Sequence, residues 1–258
     1  MNLREFFAAN PKAAVAFSGG VDSAYLLYAA KAYGADVTAY YVKSVFQPQF
    51  ELDDAHKLAE QLGAKLRIIE SDVLSDRRIA ENPSDRCYYC KRKIFEAITK
   101  AAHEDGYTLL LDGTNASDDA SDRPGMRAIA ELSVRSPLRE CSLTKAEIRR
   151  LSKEAGLPTW SKPAYACLAT RIRTGEKITA EKLRTTEKAE AIMQDMGFSD
   201  FRVRMRGKDG LVQIAEGQHA DALMRESEIK AALADLYEKV EIDEVPRLRN
   251  IDLKELGL

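Results

Sequence analysis

The chain has 258 residues, 45% hydrophobic and 31% charged, with 14 Gly and 8 Pro, which excludes a disordered or collagen-like polypeptide. Its 39 Lys and Arg against 41 Asp and Glu leave a net charge of −2, so no global positive field makes nucleic acid the default partner. This length suits one large domain or two smaller ones, no apolar run approaches the roughly 20 residues that span a bilayer, and the MNLREFF start lacks a signal-peptide core, so the expectation is a cytoplasmic protein.

In chain order, residues 13–17 form a short apolar run that ends in Ser18, Gly19 and Gly20, and residues 21–33 follow with Leu26, Leu27 and Ala30 spaced for one helical face. The pattern predicts strand, glycine turn, helix. The alternation continues with a strand over 36–42, a helix over 53–62 closed by Gly63, a strand over 65–69, a helix over 91–103 and a strand over 108–111. Strands alternating with helices predict a doubly wound parallel α/β sheet, whose ligands bind beyond the carboxyl ends of the strands. That places the candidate site in the loops beginning at Ser18, Lys43, Ser71 and Asp112.

Thr144 and Glu147 form a capping box, and Gly156 and Pro158 close the helix it opens. Residues 159–177 have no clear period and read as an ordered loop or linker. A helix over 179–197, strands over 201–206 and 211–215 joined by a Gly-Lys-Asp-Gly turn, and a helix over about 220–239 then predict a small α+β domain. The expected division is 1–175 and 176–258.

The string Ser18, Gly19, Gly20, Val21, Asp22, Ser23 lies where a strand hands over to a helix, so its glycines let backbone approach an anion while amides and the helix N-terminus face it. An isolated Ser-Gly-Gly is also an ordinary tight turn; the six-residue string is more specific. No GxxxxGK[ST] or GxGxxG string occurs, which weighs against kinase-like and dinucleotide-dependent chemistry.

This string resembles the signature of the PP-loop ATP pyrophosphatases, also described as adenine nucleotide alpha hydrolase-like, which adenylate a carbonyl or carboxyl oxygen and release pyrophosphate. Further strings narrow the resemblance: Arg86-Cys-Tyr-Tyr-Cys-Lys91, Asp112-Gly-Thr-Asn-Ala-Ser-Asp118, Arg123-Pro-Gly125, Arg135-Ser-Pro-Leu138, Thr144-Lys-Ala-Glu-Ile-Arg149 and Lys162-Pro-Ala-Tyr-Ala-Cys-Leu-Ala-Thr-Arg171. In this order, over nearly the whole length, they resemble the LarE family of ATP-dependent sulfur transferases. The resemblance implies ATP and Mg²⁺ as cofactors and adenylation of pyridinium-3,5-biscarboxylic acid mononucleotide. Replacement of oxygen by sulfur then gives thiocarboxylates for the nickel-pincer nucleotide of lactate racemase. It also implies a homo-oligomer, with a hexamer as the candidate state.

On this resemblance Asp22 is a metal-associated carboxylate, Lys91 a cation near the acyl phosphate and Cys167 the sulfur-supplying thiol. Read as bare residues, Asp22 is equally a first-turn acid on a helix dipole and Lys91 a solvated lysine. Two mechanisms compete. Cys167 gives up its own sulfur and becomes dehydroalanine, or Cys87, Cys90 and Cys167 hold a [4Fe–4S] cluster whose open iron binds sulfide from an external source. The pair Cys87 and Cys90 favours the cluster, although a single CxxC is also half a zinc site, a redox pair or two core thiols. Cys141 reads as structural, a fourth thiolate being the alternative.

Arg202, Arg204 and Arg206 alternate with Phe201, Val203 and Met205, which predicts three guanidiniums on one face of a strand. The family resemblance makes Arg202 and Arg204 ligands of the substrate phosphate; a charged edge strand is the plainer reading. Glu190 and Asp221 match family acidic positions that bind a divalent ion, and are otherwise helix-surface carboxylates. His56, His103 and His219 show no metal spacing. The remaining alternatives are a PP-loop enzyme that thiolates tRNA, disfavoured by the net charge, an amidotransferase synthetase, and a module that only binds adenine nucleotide.

Overall fold

The computed structural model describes residues 1–118, 127–128 and 131–247, so the Arg123-Pro-Gly125 string lies outside the described residues. Two compact units emerge: residues 1–73 with 85–162, and residues 74–84 with the described part of 163–254.

In the first unit, strands β1 (Lys12–Ala16), β2 (Asp36–Lys43), β3 (Lys65–Glu70) and β4 (Leu110–Leu111) form a parallel sheet in the order β3-β2-β1-β4. Side-chain alternation divides the strands between two cores, so both faces of the sheet are covered. Ala13, Val15, Val37, Ala39 and Tyr41 pack with α1 (Leu3–Ala9), α2 (Val21–Ala32), α3 (Gln49–Gln61), α6 (Pro137–Glu140) and α7 (Lys145–Glu154). Ala14, Tyr40 and Val42 pack with Phe95, Ile98, Ala101 and Ala102 of α5 (Arg86–Glu104). The doubly wound α/β fold is the predicted one. Helix α2 is apolar nearly all round and buries Val21, Ala24, Leu26, Leu27, Ala29 and Ala30, as a helix enclosed by others must.

Several boundaries differ from the sequence pattern. Helix α5 begins at Arg86, five residues before the expected start, so Cys87 and Cys90 lie on its first turns. Strand β4 is two residues long, and pairing continues from Leu111 to Arg135 through an isolated bridge. Helix α1, which the apolar pattern does not predict, is opened by a capping box between Asn2 and Glu5.

In the second unit, β5 (Phe201–Arg206) pairs antiparallel with β6 (Asp209–Ile214), and β6 pairs parallel with β7 (Val240–Ile242). Gly207, at φ +63, and Lys208 make the turn, so the hairpin is tighter than the predicted four-residue connection. The expected single helix over 220–239 is two, α9 (Glu216–Met224) and α10 (Glu226–Leu233), and the second ends six residues before the expected end. Arg225 breaks the run at φ −98, ψ 18, ending one helix and starting the next. Helix α8 (Ala180–Asp195), capped by Thr179, buries Leu183, Ala189 and Met193. Short helix α4 (Arg77–Ala80) belongs to this unit. Asn82, 1% exposed, fastens it: its side chain donates to Arg173 O at 2.8 Å and its carbonyl accepts from Gly175 N at 2.8 Å.

Candidate functional site

The sheet order puts β1 and β4 side by side with their onward connections on opposite sides, which is the position where doubly wound sheets open a ligand crevice. The 18–23 loop leaves β1, and the 112–118 loop leaves β4. Gly19 takes φ +73, a region costly for side-chain-bearing residues, and Gly20 caps α2 without a side-chain bond, leaving first-turn amides for an anion. The Ser23 hydroxyl is 4% exposed and braces the loop. It accepts from Ser18 N at 3.2 Å, lies 3.1 Å from Ser18 Oγ and donates to Gly20 O at 3.2 Å.

Asp22 gathers motifs far apart in sequence. It forms an ion pair with Lys145, the first residue of α7, and accepts from Asn115 Nδ2 at 3.3 Å. Burial pushes the Asp22 carboxyl up from 3.8, and Lys145 opposes that rise. Gly113 makes the approach possible, since a Cβ there would stand 2.9 Å from Ser23 N and 3.2 Å from Asp22 Cβ. Asp112, 5% exposed, accepts from Thr114 Oγ1 at 2.5 Å and Ser136 Oγ at 2.6 Å, tying the 112–118 and 135–138 strings together. Ser117 Oγ accepts from Lys145 N at 3.0 Å, and Arg139 Nε donates to Asn115 O at 3.3 Å.

Lys145 belongs to the 144–149 string but is not among the site residues expected from sequence. Its signal was its place directly after the Thr144 cap, which aims a cation into a helix N-terminus where a carboxylate or phosphate must neutralise it.

On α5, Cys87 is exposed and Cys90 half-buried, three residues apart and therefore on one face; Arg86 Nη2 donates to Cys87 Sγ at 3.5 Å. Lys91 is half-buried on the same helix, one turn after Cys87. Cys141 packs against the first core, where burial pushes its thiol up. None of the four cysteines is in a disulfide.

In the second unit, Cys167 is half-buried and starts the 3₁₀ turn Leu168–Arg171, its carbonyl accepting from Thr170 N and Oγ1, each at 2.9 Å. Arg171 holds that turn. It is 1% exposed, donates to Ala166 O at 2.8 Å and to Thr170 Oγ1 at 2.9 Å, and grips Glu190 at 2.7 and 3.0 Å. Glu190, 2% exposed, also accepts from Tyr165 Oη at 2.6 Å and Val203 N at 3.0 Å. Both of its oxygens are thus occupied by donors, and it is not the helix-surface carboxylate of the plainer sequence reading. Asp221 is half-exposed and pairs with Arg225 at 3.5 Å. Within each unit, no three His, Cys, Asp or Glu side chains among the described residues converge at metal-ligating spacing.

The arginines of β5 do not form the exposed row that alternation predicts. Arg202 is 6% exposed, Arg204 half-buried and Arg206 exposed, because residues 164–170 cover that face. Arg202 donates to Ala164 O at 3.0 Å, and Arg204 to Thr170 O at 2.8 Å and Gln213 Oε1 at 2.5 Å. Burial, with Arg171 and Arg247 nearby, pulls Arg202 down to about 10. Four guanidiniums, those of Arg171, Arg202, Arg204 and Arg247, share this region with the carboxylates of Glu190 and Asp200. The excess positive charge suits an anion.

Residues 12–82 match the family described as "Queuosine biosynthesis protein QueC". The pyridinium-3,5-bisthiocarboxylic acid mononucleotide synthase of Lactiplantibacillus plantarum is 33% identical over 224 residues, 86% of this chain and 81% of that protein. The chain belongs to the LarE family. An uncharacterized protein of Synechocystis is 37% identical over 206 residues, 79% of this chain and 76% of its own. The glutamine-hydrolyzing GMP synthase of Aeropyrum pernix is 28% identical over 203 residues, 71% of this chain and 39% of that protein. Membership makes the chain a PP-loop enzyme that uses ATP. Among the described residues, no helix is long and apolar enough to cross a membrane.

Proposed function

We propose that the protein adenylates pyridinium-3,5-biscarboxylic acid mononucleotide and converts its carboxylates to thiocarboxylates, within assembly of the nickel-pincer nucleotide. The observation that carries the reading is the convergence of the 18–23, 112–118 and 144–149 strings on Asp22 in a chain one-third identical to the bisthiocarboxylic acid mononucleotide synthase.

A carboxylate is a poor acceptor of sulfur until its oxygen becomes part of a leaving group. The substrate carboxylate oxygen attacks the α-phosphorus of ATP, the α–β bridging bond breaks, and pyrophosphate leaves with that electron pair. The amides of the 18–23 loop and the N-terminus of α2 receive the pyrophosphate, and Lys145 adds a cation there. Asp22 is a hard oxygen donor beside Lys145 and near Asp118, a donor set that fits Mg²⁺ carried in on the nucleotide. Mg²⁺ would offset charge building on the phosphates. Lys91 supplies positive charge to the acyl phosphate, and Arg202 and Arg204 hold the substrate's own phosphate. In this reading residues 1–175 carry adenylation and residues 176–258 carry substrate phosphate and subunit assembly, whereas the compact units divide after residue 162 and the second takes in residues 74–84.

For sulfur, Cys87 and Cys90 occupy one face of α5 and fit two corners of a [4Fe–4S] cluster, with Cys167 as the third thiolate. Such a cluster would supply a renewable sulfide. In the competing mechanism the Cys167 thiolate displaces AMP to give a thioester; loss of the Cα proton and cleavage of Cβ–S then release the thiocarboxylate and leave dehydroalanine. A divalent ion at Glu190 and Asp221 does not fit the geometry, since Glu190 already accepts four hydrogen bonds, and we derive no step through it.

The test is incubation of anaerobically purified protein with ATP, Mg²⁺, sulfide and the dicarboxylate, followed by nucleotide analysis, iron determination and intact mass. The expected products are AMP and pyrophosphate, with iron bound and protein mass unchanged over several turnovers. Loss of one H₂S from the Cys167 peptide would replace the cluster by the sacrificial route. Formation of ADP, or no cleavage of ATP, would end the adenylation reading.

A further inference from the structure

Lys162, in the first unit, is held from both ends. Its ammonium lies 3.0 Å from Glu51 Oε1 and 2.9 Å from Asp54 Oδ2, with only 21% of the side chain exposed. Its carbonyl accepts from Arg149 Nη2 at 3.1 Å, while Arg149 Nη1 donates to Trp160 O. Arg149 is 3% exposed and makes no ion pair among the described residues, so its two carbonyl bonds are the means by which a buried guanidinium is accommodated.

Glu51, Asp54 and Ala55 lie at i, i+3 and i+4 on α3, which places them on one face. That face also meets the nucleotide loop: a Cβ at Gly19 would stand 3.5 Å from Ala55 Cβ and 3.7 Å from Glu51 O. Helix α3 opens at Pro48 with no side-chain cap, so the turn that touches Gly19 has no capping side chain to fasten it. Without a cation, two carboxylates one turn apart repel. Burial already pushes the Glu51 carboxyl up, and Lys162 opposes that rise.

We propose that Lys162 is a positioning residue for nucleotide binding. By neutralising Glu51 and Asp54 it fixes the α3 turn on which the Gly19 backbone rests, and Arg149 fixes where Lys162 stands. The catalytic consequence rests on the adenylation reading; the binding consequence does not.

The test uses the full chain and compares equilibrium ATP binding with Mg²⁺, thermal melting, and KM and kcat of pyrophosphate release. Lys162→Met is expected to weaken ATP binding about 10-fold, inside the ~5–150-fold range of typical couplings between sites, and to raise KM for ATP more than it lowers kcat. Adding Glu51→Gln and Asp54→Asn removes the carboxylates left unpaired and is expected to recover most of the affinity, as is Lys162→Arg alone. If Lys162→Met does not fold, Lys162→Gln keeps a polar side chain but removes the cation that both carboxylates face, and is expected to weaken binding in the same direction. Unchanged ATP affinity in whichever variant folds, or no recovery in the triple variant, overturns the proposal and leaves Lys162 a stabilising residue only. A wild-type chain that binds ATP but releases no pyrophosphate overturns the adenylation reading instead, with the affinity comparison still standing.

Discussion

Replacing Glu190 by Gln changes almost no volume, so it removes charge and acceptors without opening a cavity. In the wild type the carboxylate accepts from Arg171 at 2.7 and 3.0 Å, from Tyr165 at 2.6 Å and from Val203 N at 3.0 Å. A glutamine amide has one oxygen and presents an NH₂ group where the other stood, so about half of these donors lose their acceptor. Hydrogen bonds to charged groups contribute about 1.5–3 kcal/mol each, and breaking a buried ion pair by removing one partner costs about 3–5 kcal/mol. These describe the same loss, so the expected destabilisation is about 3–5 kcal/mol. For a unit of this size that lowers Tm by at least about 10 °C. Circular dichroism melting gives the total, and hydrogen exchange is expected to concentrate the lost protection in residues 163–247, including the Cys167 turn that Arg171 fastens. Melting with EDTA and with added Mg²⁺ separates the two roles for Glu190: as an ion-pair partner, its stability contribution does not depend on the ion. A shift in stability below about 1 kcal/mol, or a wild-type Tm that rises with divalent ion and a variant Tm that does not, would refute the ion-pair assignment.

Gly113→Ala places a methyl group 2.9 Å from Ser23 N, a backbone atom that has no rotamer by which to escape. Overpacking of this kind costs about 1–3 kcal/mol, and the strain falls on the nucleotide loop, so ATP affinity measured by titration is expected to drop about 10-fold and Tm to fall by about 2–10 °C. Asp105→Asn tests the opposite end of the sheet. Hydrogen bonds from Arg67 and Tyr40 hold the Asp105 carboxyl below its ordinary 3.8, so its contribution is present above that pH and is lost as pH falls through the lower folded-state value. The variant is expected to show a flatter decline of stability below about pH 4 in acid titration followed by circular dichroism, and an unchanged acid limb would count against the assignment.

Features whose cause is local are legible in the residue order. The Thr144 and Glu147 cap, the glycine turn at 18–20, the alternation of Phe201, Val203 and Met205 toward a core, and the βα repeat each need only neighbours within a turn or a strand. Ends and breaks are less legible, because apolar period continues past them. Cys87, Tyr88, Tyr89 and Cys90 run consecutively and carry no helical spacing yet lie in α5, and Arg225 divides a run that its composition would have kept whole.

The sequence by itself determined the class of fold, the place of the nucleotide loop and the family of the chain, because period, turn chemistry and motif order are properties of adjacent residues. Only the tertiary structure decided which charges meet: Asp22 with Lys145, 123 positions apart, Lys162 with Glu51 and Asp54, and Arg171 with Glu190. It also turned two expected surface groups, Arg202 and Glu190, into interior ones. The physical reason is that burial is set by what folds over a residue, and a buried charge must find its partner wherever the chain returns.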